Sequence, residues 1–268
     1  MSLAPNILIN SVLILLAVQV IISTAELIRI YPAYRDEGLF SWKVQRSSRS
    51  LSVKVKKYRL DVLCKYPNVL VLLALRILSG IAIPVLIYLN YSLVIPLAVI
   101  TFTNLIFQVR NNQSNDGSDQ MATICFIAVM LAAIINTELS WSIALIFIAA
   151  QSSLAYGISG ILKMTKKEWH NGESVLRVLK TSSYGNKKGL EWALDYHWLA
   201  KAFGMFVIYG DTLLAFSFAL PPYVCGGVLI FGVCLHIGIG RVMGLNTFLW
   251  SYVSTYPAIF YVSTLLYA

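Results

Sequence analysis

A cluster of lysines and a tryptophan, placed at the end of a long apolar stretch, could carry acid–base chemistry. Lys163, Lys166 and Lys167 follow the apolar stretch, and Trp169 comes shortly after them. In one interpretation the lysines reach out to a membrane interface, where tryptophan is also common. In the other, apolar surroundings favour the neutral amine of Lys163, the most deeply placed of the three, and make it a proton acceptor.

Two more ionisable side chains lie inside apolar segments. Asp211 occurs in the segment that begins near residue 199, and His236 occurs in the next one, among several glycines. Ionisable groups inside a membrane usually have a partner or transfer protons. We therefore consider Asp211 and His236 as a proton-handling pair. A neutral histidine that is satisfied by a neighbouring group is the alternative.

Arg76 lies near the middle of another apolar segment. A charge at that depth costs at least ~2.5 kcal/mol on insertion scales, so we expect the side chain to face the protein interior and to have a partner. The carboxylates that we consider as partners are Glu26, Asp119 and Asp211. The sequence is consistent with two roles for Arg76, a structural ion pair and a functional arginine.

A polar turn before a further apolar segment contains Asp116, Asp119 and Gln120. One interpretation is a hydrophilic turn in which Ser118 or Asp119 caps the helix that follows. The other is that Asp119 and Gln120 begin this helix and point back among the helices. In that case they form a polar site at the membrane boundary.

Membrane-spanning helices must position these side chains. Of the 268 residues, 58% are apolar and 12% are charged, which excludes an ordinary soluble domain. Lipid offers no hydrogen-bond partner to the backbone, so each span must be a helix of about 20 residues. We predict an all-α integral membrane protein, a polytopic bundle of about eight transmembrane helices that forms one domain over residues 1–268. The predicted spans are 6–29, 67–88, 91–109, 119–136, 141–162, 199–220, 223–240 and 245–267.

Positive charge is confined to alternate loops. The net charge is +9, and of the 21 Lys and Arg all except Arg76 lie in or beside the loops after the first, third, fifth and seventh spans. The positive-inside rule makes these loops cytoplasmic, and setting topology and contacting anionic headgroups is a sufficient role for most of the charges.

The two polar and basic loops of greatest length cover residues 30–66 and 163–198. Alternating apolar and polar residues at 51–56 predict a short strand or an interfacial segment. Residues 190–198 predict an aromatic-rich amphipathic helix at the interface. No nucleic-acid-binding motif accompanies the charge, and the four cysteines show no metal or disulfide framework, so we expect neither nucleic acid nor metal.

Three stretches, taken in order, resemble the HTTM domain superfamily. The residues Asp116-Gly117-Ser118-Asp119-Gln120 resemble the Asp-Gly-x-[Asp/Glu]-Gln motif of the sporulation-delaying protein B group. Residues 166–173, after Lys163, resemble that group's lysine-tryptophan-glycine segment, and residues 235–240 resemble its histidine-glycine helix. The same domain is the membrane core of vitamin K-dependent gamma-carboxylase. The resemblance covers roughly residues 1–265.

The resemblance implies a base, a cofactor and a partner. In the carboxylase, a lysine in the matching segment deprotonates vitamin K hydroquinone, so the resemblance implies this role for Lys163, although this chain has one residue more between lysine and tryptophan. It implies a quinone-like lipid as cofactor. The carboxylase holds its peptide in a large extramembrane domain, whereas this chain ends at Ala268, so we expect a separately encoded soluble partner. Carboxylase chemistry also occurs on the lumenal face, opposite to the side that the charges predict.

These observations lead to two hypotheses for a multi-pass protein of the cell (inner) membrane. In the first, the protein is an enzyme or enzyme subunit that modifies or matures a peptide, with Lys163 as base. In the second, it is a non-catalytic component for the export, assembly or immunity of a toxin peptide. A small-solute transporter fits less well, because the sequence shows no internal repeat. The candidate catalytic residues are Lys163 and His236. The candidate substrate- or cofactor-binding residues are Arg76, Asp116, Asp119, Gln120, Trp169 and Asp211.

Overall fold

The computed structural model describes residues 5–47, 60–111, 115–182 and 185–268, and within these ranges the regular structure is helical, without strands. This confirms the all-α prediction for the described part of the chain. The alternating segment predicted at 51–56 lies outside the described residues.

In the part of the chain that the structure describes, six helices are long and apolar enough to cross a membrane. They are α1 (Pro5–Arg29), α4 (Asn68–Tyr88), α6 (Gly117–Ile135), α7 (Glu138–Met164), α11 (His197–Ala215) and α12 (Pro222–Met243). The third predicted span is α5 (Val94–Arg110), which has 17 residues. Most predicted spans therefore correspond to helices, but the count of eight spans is not confirmed.

The eighth predicted span is two helices instead of one. These are α13 (Asn246–Val253) and α14 (Tyr256–Leu266), each shorter than a membrane crossing requires. At the break, the Ser254 hydroxyl donates to the Ser251 carbonyl and the Thr255 hydroxyl to the Tyr252 carbonyl. Pro257 occupies the first turn of α14, where it has no N–H to continue the helix before it. The turn therefore has a local cause in the sequence.

Short helices occupy the described parts of the two basic loops. The first loop contains a 3₁₀ turn (Tyr31–Tyr34), α2 (Trp42–Ser47) and α3 (Asp61–Cys64). The second contains α8 (Lys167–His170), α9 (Glu173–Lys180) and α10 (Lys187–Asp195). The amphipathic helix predicted at 190–198 is thus present as α10, which ends three residues earlier than predicted.

The chain divides into two compact units. The N-terminal unit is Ile9–Ala144, and the C-terminal unit is Leu145–Ala268 with the described residues before Ile9. In the N-terminal unit, α5 packs between α4 and α6, with Ile100 and Phe126 fully buried. In the C-terminal unit, α12 packs against α11, α13 and α14, while α9 and α10 pack on α11.

One arginine fixes the described parts of the first loop to the N-terminal unit. Arg110, on α5, donates to the backbone carbonyls of Phe40 (2.9 Å) and Cys64 (3.0 Å), and its guanidinium lies 4.3 Å from the Tyr34 ring centroid. Burial raises the pKa of the Cys64 thiol to about 11, so this cysteine is a neutral core residue. The loop therefore has a packed core of its own.

Candidate functional site

An ion pair between Lys163 and Asp211 forms the centre of the candidate site in the C-terminal unit. The Lys163 ammonium, near the end of α7, lies 2.5 Å from Asp211 Oδ2 on α11. It also donates to the Ser159 hydroxyl one turn earlier on α7, and that hydroxyl donates to Asp211 Oδ2 at 2.9 Å. The exposed fractions are 19% for the Lys163 side chain and 9% for Asp211. The two charges therefore neutralise each other in a largely dry environment.

A glycine lets the two helices approach at this point. A Cβ atom at Gly160 would lie 3.0 Å from Thr212 Oγ1 and 3.5 Å from the Asp211 Cβ. At Gly157, one turn earlier, the nearest atom would be Ala215 Cβ at 3.8 Å, an ordinary contact. Small residues allow helices to approach closely, and at this crossing Gly160 has that role more than Gly157.

Trp169 and Lys163 lie at the wall of an apolar cavity. The Lys163 ammonium is 5.4 Å from the Trp169 ring centroid, a cation–π distance. The cavity has a volume of about 230 Å³, and among the described residues Lys163 is the one charged side chain that lines it. The remaining walls come from α9, α11, α12 and α13, with Leu179, Val207 and Phe248 among them. A ligand in this cavity would contact apolar side chains over most of its surface, and it would meet one polar group, the Lys163 ammonium, at one end.

Of the two interpretations of His236, the structure favours a histidine that is satisfied by neighbouring groups over a pair with Asp211. Its Nδ1 lies 2.8 Å from the Gly232 carbonyl one turn earlier on α12, and its Nε2 lies 3.3 Å from the Tyr156 hydroxyl on α7. The Tyr156 hydroxyl is also 3.0 Å from that of Tyr256. His236 is only 2% exposed. The structure thus places it in a buried tyrosine cluster, where neighbouring groups satisfy both ring nitrogens.

The ring contacts hold this imidazole in place. His236 stacks on Phe248 with ring centroids 5.6 Å apart, and Tyr252 lies against both rings. A carbonyl can only accept a hydrogen bond, so Nδ1 must carry the proton in its bond to Gly232. Nε2 is then the acceptor for the Tyr156 hydroxyl.

Arg76 belongs to a second cluster, which lies within the N-terminal unit. Its guanidinium donates to Thr24 Oγ1 (3.0 Å), Ser23 Oγ (3.1 Å) and Asn104 Oδ1, and it lies 5.6 Å from the Phe107 ring centroid. Arg76 is 5% exposed, so it faces the interior as predicted. Among the described residues, however, its hydrogen-bond partners are neutral groups rather than the carboxylate that we expected.

The polar turn before α6 is a helix cap. Asp116 Oδ1 accepts from the backbone N–H groups of Ser118 (2.7 Å) and Asp119 (3.2 Å), and Asp119 Oδ2 accepts from the Asp116 N–H at 3.3 Å. This is a capping box. Asp116 is the cap, in place of Ser118 or Asp119, and Gln120 is exposed instead of pointing among the helices. The geometry favours the structural interpretation of this turn.

The structure therefore brings together Lys163, Trp169 and Asp211, and it adds residues that sequence reasoning missed. Ser159, Tyr156 and Tyr256 were not predicted as site residues. A signal for two of them exists, because Tyr156, Ser159 and Lys163 recur at a spacing that places them on one face of α7. Among the described residues, no three His, Cys, Asp or Glu side chains are grouped so that they could hold a metal ion.

Comparisons with protein-family models, with curated proteins and with solved structures find no match to this chain.

Proposed function

We propose that this protein is a membrane enzyme, or the membrane subunit of one, that uses Lys163 as a base in modifying a peptide. The observation that carries the proposal is a partly buried lysine–aspartate pair, with the ammonium at the wall of an apolar cavity. Ionisable groups in such positions within membrane helices usually serve proton transfer, binding or transport. The resemblance to the HTTM superfamily supports the same role for Lys163.

The cavity walls fit a quinone-like lipid. Apolar side chains such as Val207 and Phe248 would contact the ring and its chain, and Trp169 would lie beside them. The Lys163 ammonium is already neutralised by Asp211, so the site favours a neutral ligand with an oxygen atom over an anion. When bound, a hydroquinone would supply an acidic O–H whose removal generates a reducing oxyanion.

Lys163, Ser159 and Asp211 have separate tasks in this proposal. Asp211 holds the ammonium end against the cavity wall, and the Ser159 hydroxyl connects the two groups. Lys163 must lose a proton before it can accept one, because an ammonium has no lone pair. The amine would then take the O–H proton of the ligand, and Asp211 would stabilise the ammonium that forms again.

The resemblance to the HTTM superfamily is the basis for proposing a peptide substrate and a separately encoded soluble partner. The chemistry of the carboxylase occurs on the lumenal face, whereas the basic loop that contains Lys163 indicates the cytoplasmic face. Labelling of a cysteine introduced at exposed Lys167, in sealed cells, would assign the side.

Replacement of Lys163 tests the proposal. Membranes that contain Lys163→Ala, co-expressed with the genomic neighbours, should modify the peptide at least about 10²-fold more slowly, as expected when a positioned proton acceptor is removed. The measurement is the mass of the secreted peptide, with membrane insertion checked by fractionation. Lys166→Ala is the matched control, because Lys166 is exposed and close in sequence. Normal modification by Lys163→Ala would remove Lys163 from the mechanism.

The second candidate, a non-catalytic export, assembly or immunity component, has one observation in its favour. Lys163 and Asp211 form a direct ion pair. An ion pair whose only role is to hold two helices together would have the same geometry. In that case the peptide mass is the same with and without the protein, and Lys163→Ala changes only the stability.

A further inference from the structure

The apolar cavity beside Lys163 has a closed wall on the side of the second basic loop. This wall is α9, which contributes Val175, Val178 and Leu179. Val175 and Leu179 are buried in a small apolar core that the loop forms with Ala200 of α11. Because moving these side chains aside would expose them to water, the wall is a stable part of the fold and resists opening.

Two glycines let the loop pack directly on the backbone of α11. Gly172, just before α9, has a φ of 87°, a left-handed conformation that favours glycine. A Cβ atom there would lie 2.7 Å from the Lys201 backbone nitrogen. A Cβ atom at Gly204 would overlap the Trp169 carbonyl oxygen. The loop and α11 are therefore in backbone contact beside the cavity, which closes this side to a ligand.

Between α11 and α12 the cavity reaches the surface instead. Phe203 of α11 and Val242 of α12 both line the cavity, and they are 41% and 38% exposed. Side chains that line a cavity and are also exposed mark its opening. Both helices are long and apolar enough to cross a membrane, so exposed apolar surface on them is suited to contact with lipid.

A row of aromatic rings leads away from this opening. Phe203 stacks with Phe206 at a centroid distance of 6.4 Å, and Phe206 meets Phe231 of α12 edge-on at 5.0 Å. Phe206 is also exposed. Phe231 precedes Val242 by eleven residues, which is about 16 Å along α12. The apolar surface therefore continues from the opening toward the middle of the two membrane-crossing helices.

The size of the cavity limits what it can hold. An apolar cavity of about 150 Å³ holds one benzene molecule, and this cavity has a volume of about 230 Å³. One ring or two fused rings therefore fill it. A long hydrocarbon chain attached to such a ring must remain outside.

We infer that the cavity takes its ligand from the bilayer, through the opening between Phe203 and Val242. The ligand is a lipid with a ring-sized head group beside Lys163 and an apolar chain that stays outside, along Phe206. This inference deepens the proposed function, and it rests on that proposal for the use of Lys163 as a base. The route itself rests on the shape of the cavity and on the exposure of the two side chains at its opening.

Two reagents that differ in charge test the route. Phenyl isothiocyanate dissolves in membranes, 4-sulfophenyl isothiocyanate stays in water, and both attach to the neutral amine of lysine. The full-length protein in membranes is treated with each reagent, and mass spectrometry quantifies modification of Lys163 relative to exposed Lys166. We expect this ratio to be at least about tenfold higher with the phenyl reagent, because a sulfonate is costly to bring into apolar surroundings. The ion pair of Lys163 slows both reagents alike.

Variants at the opening sharpen the test. Val242→Phe narrows the opening and should slow the reaction of Lys163 with phenyl isothiocyanate at least about fivefold, since added atoms must be displaced from a filled gap. Val242→Ala widens the opening and should make the reaction faster. Val224→Phe is the matched control, because Val224 is 37% exposed on the same helix, about 27 Å away along its axis. It should react like the parent protein.

The outcomes separate this inference from the proposed function. An equal ratio with both reagents would show access from water and overturn the inference. Unchanged rates in both Val242 variants would also overturn it, and so would a Lys163 that does not react with the phenyl reagent. These results do not depend on peptide modification. Conversely, normal peptide modification by Lys163→Ala refutes the base, while labelling of the parent protein still reports how the cavity is reached.

Discussion

Each of the two units holds a cation among its helices, and the two cations are stabilised by different kinds of partner. In the N-terminal unit, the Arg76 guanidinium donates hydrogen bonds to Ser23, Thr24 and Asn104, which are neutral. Arg76 itself is buried. In the C-terminal unit, Lys163 has a direct carboxylate partner and lies at a cavity wall.

The difference follows from the chemistry of the two cations. A guanidinium is delocalised, permanently charged and forked, so it can hold three helices together through neutral acceptors. An ammonium is a compact charge that can lose its proton, so a lysine beside a carboxylate and a cavity is suited to reversible chemistry. Under the proposed function we therefore assign stability to the Arg76 cluster and reactivity to the Lys163 cluster.

The largest expected effect tests the ion pair. Asp211→Ala leaves a buried ammonium without its partner and should lower the free energy of unfolding by about 3 kcal/mol. The double variant Lys163→Met with Asp211→Leu removes both charges and should recover most of that loss, because apolar replacement of buried ion pairs is often neutral or stabilising. Unfolding in mixed micelles, followed by circular dichroism, measures both.

The double variant also separates the two functional hypotheses. A stable double variant that no longer modifies the peptide supports reactivity at Lys163. A stable double variant with full biological function would show that the pair holds α7 and α11 together and does nothing more, and the contrast with Arg76 would then disappear.

A smaller effect is expected at Arg76. Arg76→Lys retains the charge, but an ammonium cannot reproduce the planar fork that reaches Ser23, Thr24 and Asn104 together. The loss of one charge-assisted hydrogen bond should cost about 2 kcal/mol in the same unfolding measurement, with peptide modification unchanged. Arg29→Lys, at the exposed end of α1, is the control. Lost modification at unchanged stability would make Arg76 a functional residue.

The helices could be predicted largely from apolar run length, with errors where local chemistry decides the ends. The start of α6 was predicted at Asp119, yet the helix begins at Gly117, because Asp116 caps it from the preceding position. The eighth span looked continuous because no charged residue interrupts it. Hydroxyl groups and Pro257 nevertheless divide it into two helices. Hydropathy is insensitive to both effects.

The sequence singled out some side chains of the candidate site, but it did not predict how they pair. Lys163, Asp211 and His236 were all singled out, since each is an ionisable group in an apolar segment. Asp211 was considered as a partner of Arg76 and of His236, whereas the structure pairs it with Lys163, 48 residues away. Which side chain a carboxylate meets depends on helix packing at Gly160, and a single sequence carries no local trace of that packing.

The smallest expected effect concerns the capping box of the N-terminal unit. Asp116→Ala removes the oxygen that accepts from two N–H groups at the start of α6 and should cost about 1 kcal/mol of unfolding free energy. Gln120→Ala, in the same turn but exposed, should stay within about 0.5 kcal/mol of the parent. Neither variant should alter peptide modification, because both lie in the unit that we assign to stability. If Gln120→Ala reduced modification while stability was unchanged, the polar turn would belong to the site after all, and chemistry would have to be assigned to both units.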